Sequence, residues 1–407
     1  MYNVILLLYL FTPVFGEDTR QGDDCIQEGV KGKCMDLRVC PSALKDLKLK
    51  IKPQICSFNG TSTTPNVCCV SPIVNKTSLI SAQSDKAECP PIKNYIRGSN
   101  NQNKQIKQGH KAWAKCLEYQ MKAVFPCLQV STALSLDGTP YYDRFDRCYM
   151  HNRKPPPLIV SGGGIDAEEG EFPHMALLGY GNDIDSAKWF CGGSLISEKY
   201  ILTAAHCIST TELGTVAFAA LGVWRRTDPR DKWNVYNIKT ITKHPEYKSP
   251  SKYNDIALLE TDEEVKFSSY VIPACLHVGD EVPDTRVSAI GWGALGYYRE
   301  LADTLQDVPL WKVDDANCSA RYPPHRHLLA GYNSTTQVCY GDDGRERDTC
   351  AGDSGGPLDM LSQDIYCMHL IIGVTSFGHR TCGEVGYPGM YTRLSHYVPW
   401  IESIVWP

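Results

Sequence analysis

Three short segments of the 407-residue chain carry side chains that could do covalent chemistry together. Thr203-Ala204-Ala205-His206-Cys207 closes an apolar stretch with an imidazole. Asn254-Asp255-Ile256-Ala257-Leu258 sets one acid among apolar neighbours. Gly352-Asp353-Ser354-Gly355-Gly356-Pro357 sets a serine among glycines, so its hydroxyl can stand clear and backbone N–H groups can converge on a ligand. Singly, these would read as a structural histidine, a turn or capping acid, and a glycine-rich turn. In the order His, Asp, Ser they read as a catalytic constellation. A serine hydroxyl is a poor nucleophile at neutral pH. An imidazole must take its proton and later return it to the leaving amine. A buried carboxylate must hold that imidazole in one tautomer and stabilise its charged form. The developing oxyanion needs two N–H donors, which Gly352 and Ser354 are placed to give.

The framework that must hold these groups is rich in cysteine. The count of 18 is even and unevenly spread: six from Cys25 to Cys69, four from Cys89 to Cys148, eight from Cys191 onward. That usage reads as a disulfide-bonded, exported protein rather than a cytosolic one. The N-terminus agrees. Val4 to Phe11 is an apolar run too short to span a bilayer, and small Gly16 precedes Glu17 and Asp18. Residues 1–16 therefore read as a signal peptide rather than a buried first strand. No later stretch is long and apolar enough for a membrane helix, so a secreted, extracellular protein with no membrane partner is expected. Four sequons, at Asn59, Asn75, Asn317 and Asn333, are glycosylation candidates on that route, Asn317 adjoining a cysteine. A net charge of −5 argues against a nucleic-acid partner held through its phosphates.

The length suggests two or three domains, and composition divides the chain. Residues 25–69 are cysteine-dense and short of core residues. Residues 71–112 are rich in Ser, Asn, Lys and Gln, and residues 99–105 read as flexible linker. Trp113, Leu117, Met121 and Val124 give helix-like spacing over 111–128. Pro155, Pro156 and Pro157 form a stiff, extended segment. From Ile159 the pattern changes to short β-branched and aromatic runs between Gly, Asp and Asn turns, at Trp189–Cys191, Ser194–Ile196, Tyr200–Thr203, Asn234–Ile241 and Ile371–Ser376. Such text indicates an all-β sandwich or barrel. Tyr397, Val398, Ile401, Ile404 and Val405 recur at helical spacing, so a closing amphipathic helix is expected.

From Ile159 to the C-terminus the chain resembles a trypsin-like serine protease of the chymotrypsin fold. The resemblance implies two packed six-stranded antiparallel β-barrels with the active site in the cleft between them. It makes His206 the general base, Asp255 the orienting acid and Ser354 the nucleophile. Asp348, six residues before Ser354, matches the floor of the primary specificity pocket, where a carboxylate selects Arg or Lys. Ser376-Phe377-Gly378 matches the strand that pairs with substrate backbone, Phe377 standing as an aromatic wall in place of the commoner tryptophan. Gly378 and Gly389 would line an open pocket. Pro388 stands where sodium-dependent relatives carry tyrosine, so no sodium site is expected. No cofactor is implied. The family allows calcium in an acidic loop, but Asp228 and Asp231 do not make a clear ligand set. No metal is assigned, because His325 and His327 are too closely spaced and loop-like. The resemblance implies bridges Cys191–Cys207, Cys318–Cys339 and Cys350–Cys382, and a tether from Cys275 to a linker cysteine, best matched by Cys116. Of the four cysteines then left, Cys127–Cys148 would close a local loop and Cys89–Cys367 would add a second tether.

The first six cysteines, ending in the adjacent pair Cys68 and Cys69, resemble a clip domain over 25–69. The whole chain looks like a snake-like clip-domain serine protease of arthropods. That family implies Cys25–Cys68, Cys34–Cys56 and Cys40–Cys69, although sequence alone leaves other connectivities open. It divides the chain into a signal peptide (1–16), a clip domain (25–69), a linker (70–158) and a protease domain (159–407). It also implies an inactive precursor cut between Leu158 and Ile159. The freed amine folds inward to pair with Asp353. Leu158 suits an enzyme with Asp348 poorly, so an upstream activating protease of apolar specificity is expected. The partners implied are that activator, a downstream protein zymogen cut after Arg or Lys, and a serpin-type inhibitor. The setting implied is an extracellular cascade of immunity, melanisation or development. The stretch from Ile159-Val160-Ser161-Gly162 to Pro173 runs two residues longer than the family usually has, which could bulge outward or weaken the switch. Two other readings stand beside this one: a non-catalytic clip-domain homologue acting as a cascade cofactor, and a venom serine protease.

Overall fold

The structure, a computed structural model, describes residues 23–27, 30–37, 40, 43, 53–58, 65–70, 110–130, 141–144, 147–148 and 164–407, the last without 280–281, 283–285, 297, 343–348, 379–381, 383 and 385. The signal peptide, the linker stretch 99–105, the prolines 155–157, Asn59, Asn75, Cys89, Leu158, Ile159 and Asp348 lie outside the described residues. The chain divides into two units, Met1–Lys86 and Ala87–Pro407.

The first unit is a four-stranded antiparallel sheet of β1 (Asp24–Gln27), β2 (Val30–Asp36), β3 (Ile55–Phe58) and β4 (Pro65–Val70), in the order β1-β2-β4-β3. Among the described residues its buried apolar side chains are few: Cys34, Cys40, Ala43, Val67 and Cys68. A core that small is supplemented by covalent staples. Cys25–Cys68 and Cys40–Cys69 are closed as expected. Cys34 and Cys56 are brought side by side, as two thiols in hydrogen-bonding contact rather than a bridge. Burial, with the Cys34 contact, pushes the Cys56 thiol up to about 12.

The second unit opens with α1 (His110–Tyr119), which widens into a π-turn over Gln120–Val124. The helix lays Ala112, Cys116, Tyr119, Ala123 and Val124 against the barrels that follow. It stops at Phe125 instead of reaching 128, because Pro126 cannot continue it; Cys127 already begins β5 (Cys127–Val130), paired with β6 (Tyr141–Arg144). Cys116 is bridged to Cys275, as expected. The other pairing differs from expectation. Cys148 bonds Cys367, and neither Cys127–Cys148 nor Cys89–Cys367 forms. The reason is spatial. Cys148 is buried in the same apolar cluster as Cys367, with Cα atoms 5.7 Å apart, whereas Cys127 stands exposed at the start of a hairpin. Cys127 is itself disulfide-bonded, to a partner that lies outside the described residues.

The strands that follow are β7 (Ile165–Asp166), β8 (Met175–Tyr180), β9 (Lys188–Leu195), β10 (Tyr200–Thr203), β11 (Ser209–Thr210), β12 (Gly214–Leu221), β13 (Asn234–Lys243) and β14 (Ala257–Thr261). Then come β15 (Cys275–Leu276), β16 (Arg286–Gly291), β17 (Gln306–Lys312), α2 (Asp315–Arg321), β18 (Gln337–Gly341), β19 (Pro357–Leu361), β20 (His369–Phe377), β21 (Gly389–Arg393) and α3 (Leu394–Val405). Strands β12-β13-β14-β10-β9-β8 close on themselves through β12–β8, and β20-β19-β16-β17-β18-β21 close through β20–β21. These are the two six-stranded antiparallel barrels expected. Closure removes the sheet edges that short strands would otherwise expose.

The closing helix α3 buries Leu394, Tyr397, Val398, Ile401 and Val405, as its spacing predicts. It also holds α1. Glu402 Oε1 accepts the Ala112 N–H at 2.7 Å, one of the unpaired donors of a helix start, and Trp406 Nε1 donates to Tyr119 Oη at 3.0 Å. The expected outcome is that a non-reduced digest of the protein yields a Cys148–Cys367 peptide and a Cys116–Cys275 peptide. A Cys127–Cys148 peptide in their place would contradict the fold.

Candidate active site

His206 sits in a short turn, Ala205–Cys207, directly after β10. The Cys191–Cys207 bridge ties that turn to β9. The His206 backbone N–H donates to Asp255 Oδ1 at 2.9 Å, and its Nδ1 lies 2.8 Å from Asp255 Oδ2. An ionised carboxylate can only accept, so Nδ1 carries the proton and Nε2 is left with the lone pair that a base needs.

Asp255 has no solvent exposure, and the chain delivers it from a strained point. Asn254 takes φ 54°, a left-handed conformation that asparagine tolerates better than most residues. Tyr397 Oη, on α3, donates to Asn254 Oδ1 at 2.8 Å, and Thr392 Oγ1 donates to the Asp255 carbonyl at 2.9 Å. The second barrel therefore holds in place an acid that belongs to the first. Ser376 Oγ donates to Asp255 Oδ2 at 2.5 Å, a role beyond the substrate-strand one given to Ser376. Burial alone would raise the Asp255 carboxyl. The charge and hydrogen bond of His206, the charge of Lys252 and the Ser376 hydroxyl outweigh it and hold the carboxyl well below the usual carboxylate range.

Ser354 is half-buried in the glycine-rich turn before β19. Its carbonyl accepts the Gly192 N–H of β9 at 2.9 Å, stitching the nucleophile turn to the other barrel. The turn requires its glycines. Gly352 has φ 105° and Gly355 φ 77°, and a Cβ on Gly355 would stand 2.2 Å from Thr203 Oγ1 and 2.6 Å from the Gly192 carbonyl. Among the described residues the Ser354 hydroxyl makes no hydrogen bond to the imidazole. The base–acid half of the relay is assembled, and the nucleophile half is not closed.

Next to it, Asp353 is turned away from solvent against Gly291 and Gly293, where any added Cβ would collide with its carboxylate. It accepts N–H groups from Gly293 at 2.7 Å and Cys350 at 2.8 Å. Burial pushes its pKa up to about 6 against those two hydrogen bonds. No cation faces Asp353 among the described residues.

The substrate side is partly in view. Phe377 is half-buried and meets Tyr322 edge to face at 5.3 Å, while Tyr322 Oη donates to the Pro388 carbonyl. Gly378 is half-buried, and Gly389 is buried in β21. Cys350–Cys382 and Cys318–Cys339 are closed as expected. Asn317 and Asn333 are exposed, although the Asn317 amide donates to the Asp314 carboxylate that caps α2. Asp228 Oδ2 accepts the Arg225 N–H at 3.1 Å, and Arg226 and Arg230 share the same loop.

Sequence reasoning missed Lys252. Its ammonium stands 3.6 Å from Asp255 Oδ2 and donates to the Ser376 carbonyl at 3.2 Å. Its backbone is clamped on both sides, the N–H donating to the His327 carbonyl at 2.9 Å and its own carbonyl accepting Gln337 Nε2 at 3.0 Å. A lysine three residues before the acid was the available signal. It meant nothing without the turn that folds it back.

The trypsin family model matches residues 161–401, more than half of the chain, so the chain belongs to the trypsin family. It is 40% identical over 252 residues to serine protease snk of Drosophila melanogaster, covering 61% of this chain and 57% of that one. It is 34% identical over 255 residues to serine protease Hayan of the same species, covering 61% and 39%. It is 35% identical over 260 residues to CLIP domain-containing serine protease B4 of Anopheles gambiae, covering 60% and 70%. With the stapled sheet of its first unit, the chain is a clip-domain member of that family of the arthropod kind. It spans little more than half the length of the first of these relatives and less of the second.

The Lys252 ammonium helps keep the Asp255 carboxyl ionised beside the imidazole. Lys252→Met should therefore lower kcat/KM by roughly three-fold or more, and Lys252→Arg should restore it. A kcat/KM unchanged in Lys252→Met would show that the ammonium does not act on the relay.

Proposed function

We propose that the protein is an exported serine endopeptidase precursor, activated by a cut between Leu158 and Ile159, that then cleaves a downstream protein zymogen after Arg or Lys. The observation that carries this reading is the state of Asp353: a fully buried carboxylate with two N–H donors and no cation facing it among the described residues. Such a group calls for a positive charge, and a new α-amine at Ile159 would supply one. Pairing would release the cost of the buried charge and fix the turn carrying Gly352 and Ser354, whose N–H groups would form the oxyanion hole. Ser354 Oγ would then attack the scissile carbonyl as His206 Nε2 takes its proton. Asp255 stabilises the imidazolium, and His206 returns the proton to the leaving amine. Water would repeat the sequence on the acyl-enzyme. Asp348 would hold the substrate's basic side chain.

Leu158 places the activating cut outside this specificity, so a separate protease of apolar preference begins the process. The light chain stays attached through Cys116–Cys275 and Cys148–Cys367. The disulfides that tie both units, with glycans at Asn59, Asn75, Asn317 and Asn333, would suit an extracellular setting, and among the described residues no helix is long and apolar enough to cross a membrane. The names of the relatives support a proteolytic cascade as the setting, with the stapled sheet as its docking module and a serpin-type protein as its inhibitor.

Cutting purified precursor at Leu158 should produce a heavy chain whose Edman sequence begins Ile159-Val160-Ser161, and turnover of an Arg-terminated chromogenic peptide. Ser354→Ala should lose at least about a thousand-fold of that turnover. Correctly cut protein with no turnover would favour the non-catalytic cofactor instead.

Asp353 gives a second expectation. Its folded pKa lies above that of an unfolded carboxylate, so the uncut fold binds its proton more tightly than the unfolded chain does. That contribution is fully present below about pH 4 and is lost as pH rises through about 6. At pH 7 Asp353→Asn should therefore raise the melting temperature of the uncut chain while abolishing activity of the cut one. A lowered melting temperature would contradict the uncompensated charge.

A further inference from the structure

Outside the catalytic groups, the first barrel carries a cavity of about 390 Å³. Its walls include Lys188, Trp189 and Phe190 from β9, and Arg226, Arg230 and Trp233 from the segment between β12 and β13. The guanidinium of Arg226 is held from one side only. Nη2 donates to the Trp189 carbonyl at 3.0 Å, while Nη1 is shut from solvent without a hydrogen-bond partner. Arg230 lies over the Trp233 ring at 3.7 Å and within 5.2 Å of the Trp189 ring. The nearby acids offset the site's charge only in part: burial still outweighs Asp303 at Arg226 and Asp185 at Arg230. The Asp303 carboxylate is already taken by the Thr227 N–H and hydroxyl, both at 2.9 Å. Desolvation makes both guanidiniums easier to deprotonate than usual, with Arg230 adding repulsion at Arg226 and Asp185 partly offsetting it at Arg230. A buried guanidinium N–H without an acceptor is costly, and a carboxylate is the acceptor that fits its fork.

The location names the ligand. Phe190 is followed by Cys191, which is bridged to Cys207, the residue after His206. In the reading above, the substrate segment before the scissile bond pairs with Ser376–Gly378 in the second barrel. The segment after that bond would then leave past His206, whose turn is bridged to β9. A cavity of this volume admits one or two side chains and not an extended polyanion.

We propose that this cavity is an exosite taking an acidic side chain, Asp or Glu, from the protein substrate beyond its scissile bond. The carboxylate pairs with Arg226 and Arg230, and the aromatic walls exclude water from the pair. The exosite rests on the endopeptidase reading for its substrate, but its binding can be measured apart from catalysis.

The test uses the full chain cut at Leu158, in its Ser354→Ala form, titrated with two uncut peptides. Both carry Arg before the scissile bond; one has Glu at the second and third positions after it, the other Gln. The expected result is at least about five-fold tighter binding of the Glu peptide, a preference that shrinks with added salt. Arg226→Glu with Arg230→Glu should invert that ratio, and Arg226→Gln should flatten it. Equal affinity for both peptides, or a ratio unchanged in the folded variants, overturns the exosite. Because Ser354→Ala cannot turn over substrate, failure of the endopeptidase reading would appear separately, as no cleavage of either peptide by the Ser354 form. Each variant is judged by its own Glu-to-Gln ratio, so a loss common to both peptides does not count.

Discussion

A carboxylate without solvent must be matched donor by donor, and most of the second unit is arranged around that demand at Asp255. Its oxygens face the His206 backbone, the imidazole, the Ser376 hydroxyl and the Lys252 ammonium. Those groups come from the turn after β10, from β20, and from the loop ahead of β14. The residue before it is held by α3, and its carbonyl by β21. Two closed barrels and a terminal helix must all dock before the acid is satisfied. An unmatched charge here would cost several kcal/mol, comparable to the net stability of a domain. The imidazole inherits its tautomer from this arrangement.

Asp353 is the counterpart, a buried carboxylate one residue from the nucleophile, satisfied among the described residues by hydrogen bonds but not by charge. The contrast separates two tasks. The charge at Asp255 is compensated within the described fold, so the base is preformed. In the proposed activation the charge at Asp353 awaits a partner, so that one cut in the chain would bring the nucleophile turn to its working shape. The open Ser354–His206 half of the relay agrees with that division. Covalent tethers suit it as well, since Cys116–Cys275 and Cys148–Cys367 keep the segment before the cut attached afterwards.

What was legible in the sequence follows from how local each constraint is. His206, Asp255 and Ser354 announced themselves because their chemistry demands particular neighbours, above all the glycines that Thr203 and Gly192 leave no room to replace. The short β-branched and aromatic runs between turns, and the helical spacing of Tyr397, Val398 and Ile401, gave an all-β fold with a closing helix, since burial writes itself into the pattern; the pair of six-stranded barrels came from the family resemblance. Constraints that exist only in space were not legible. Lys252 is a surface-looking lysine until its turn brings it to Asp255. The partner of Cys148 depends on a shared apolar cluster with Cys367, 219 residues away. The helix end at Phe125 was written in Pro126 but was overrun by an apolar period that seemed to continue. Arg226 and Arg230 read as loop charge until Trp189 and Trp233 are placed beside them.

The central claim is that the base–acid pair is complete before activation and that only the turn next to Asp353 changes. The direct measurement is the low-field proton resonance of His206 Nδ1–H, followed by NMR in the uncut chain and again after cleavage at Leu158. The account predicts the hydrogen-bonded resonance in both, abolished in each by Asp255→Ala. A resonance that appears only after the cut would show that the relay itself is assembled by activation, and would contradict the account.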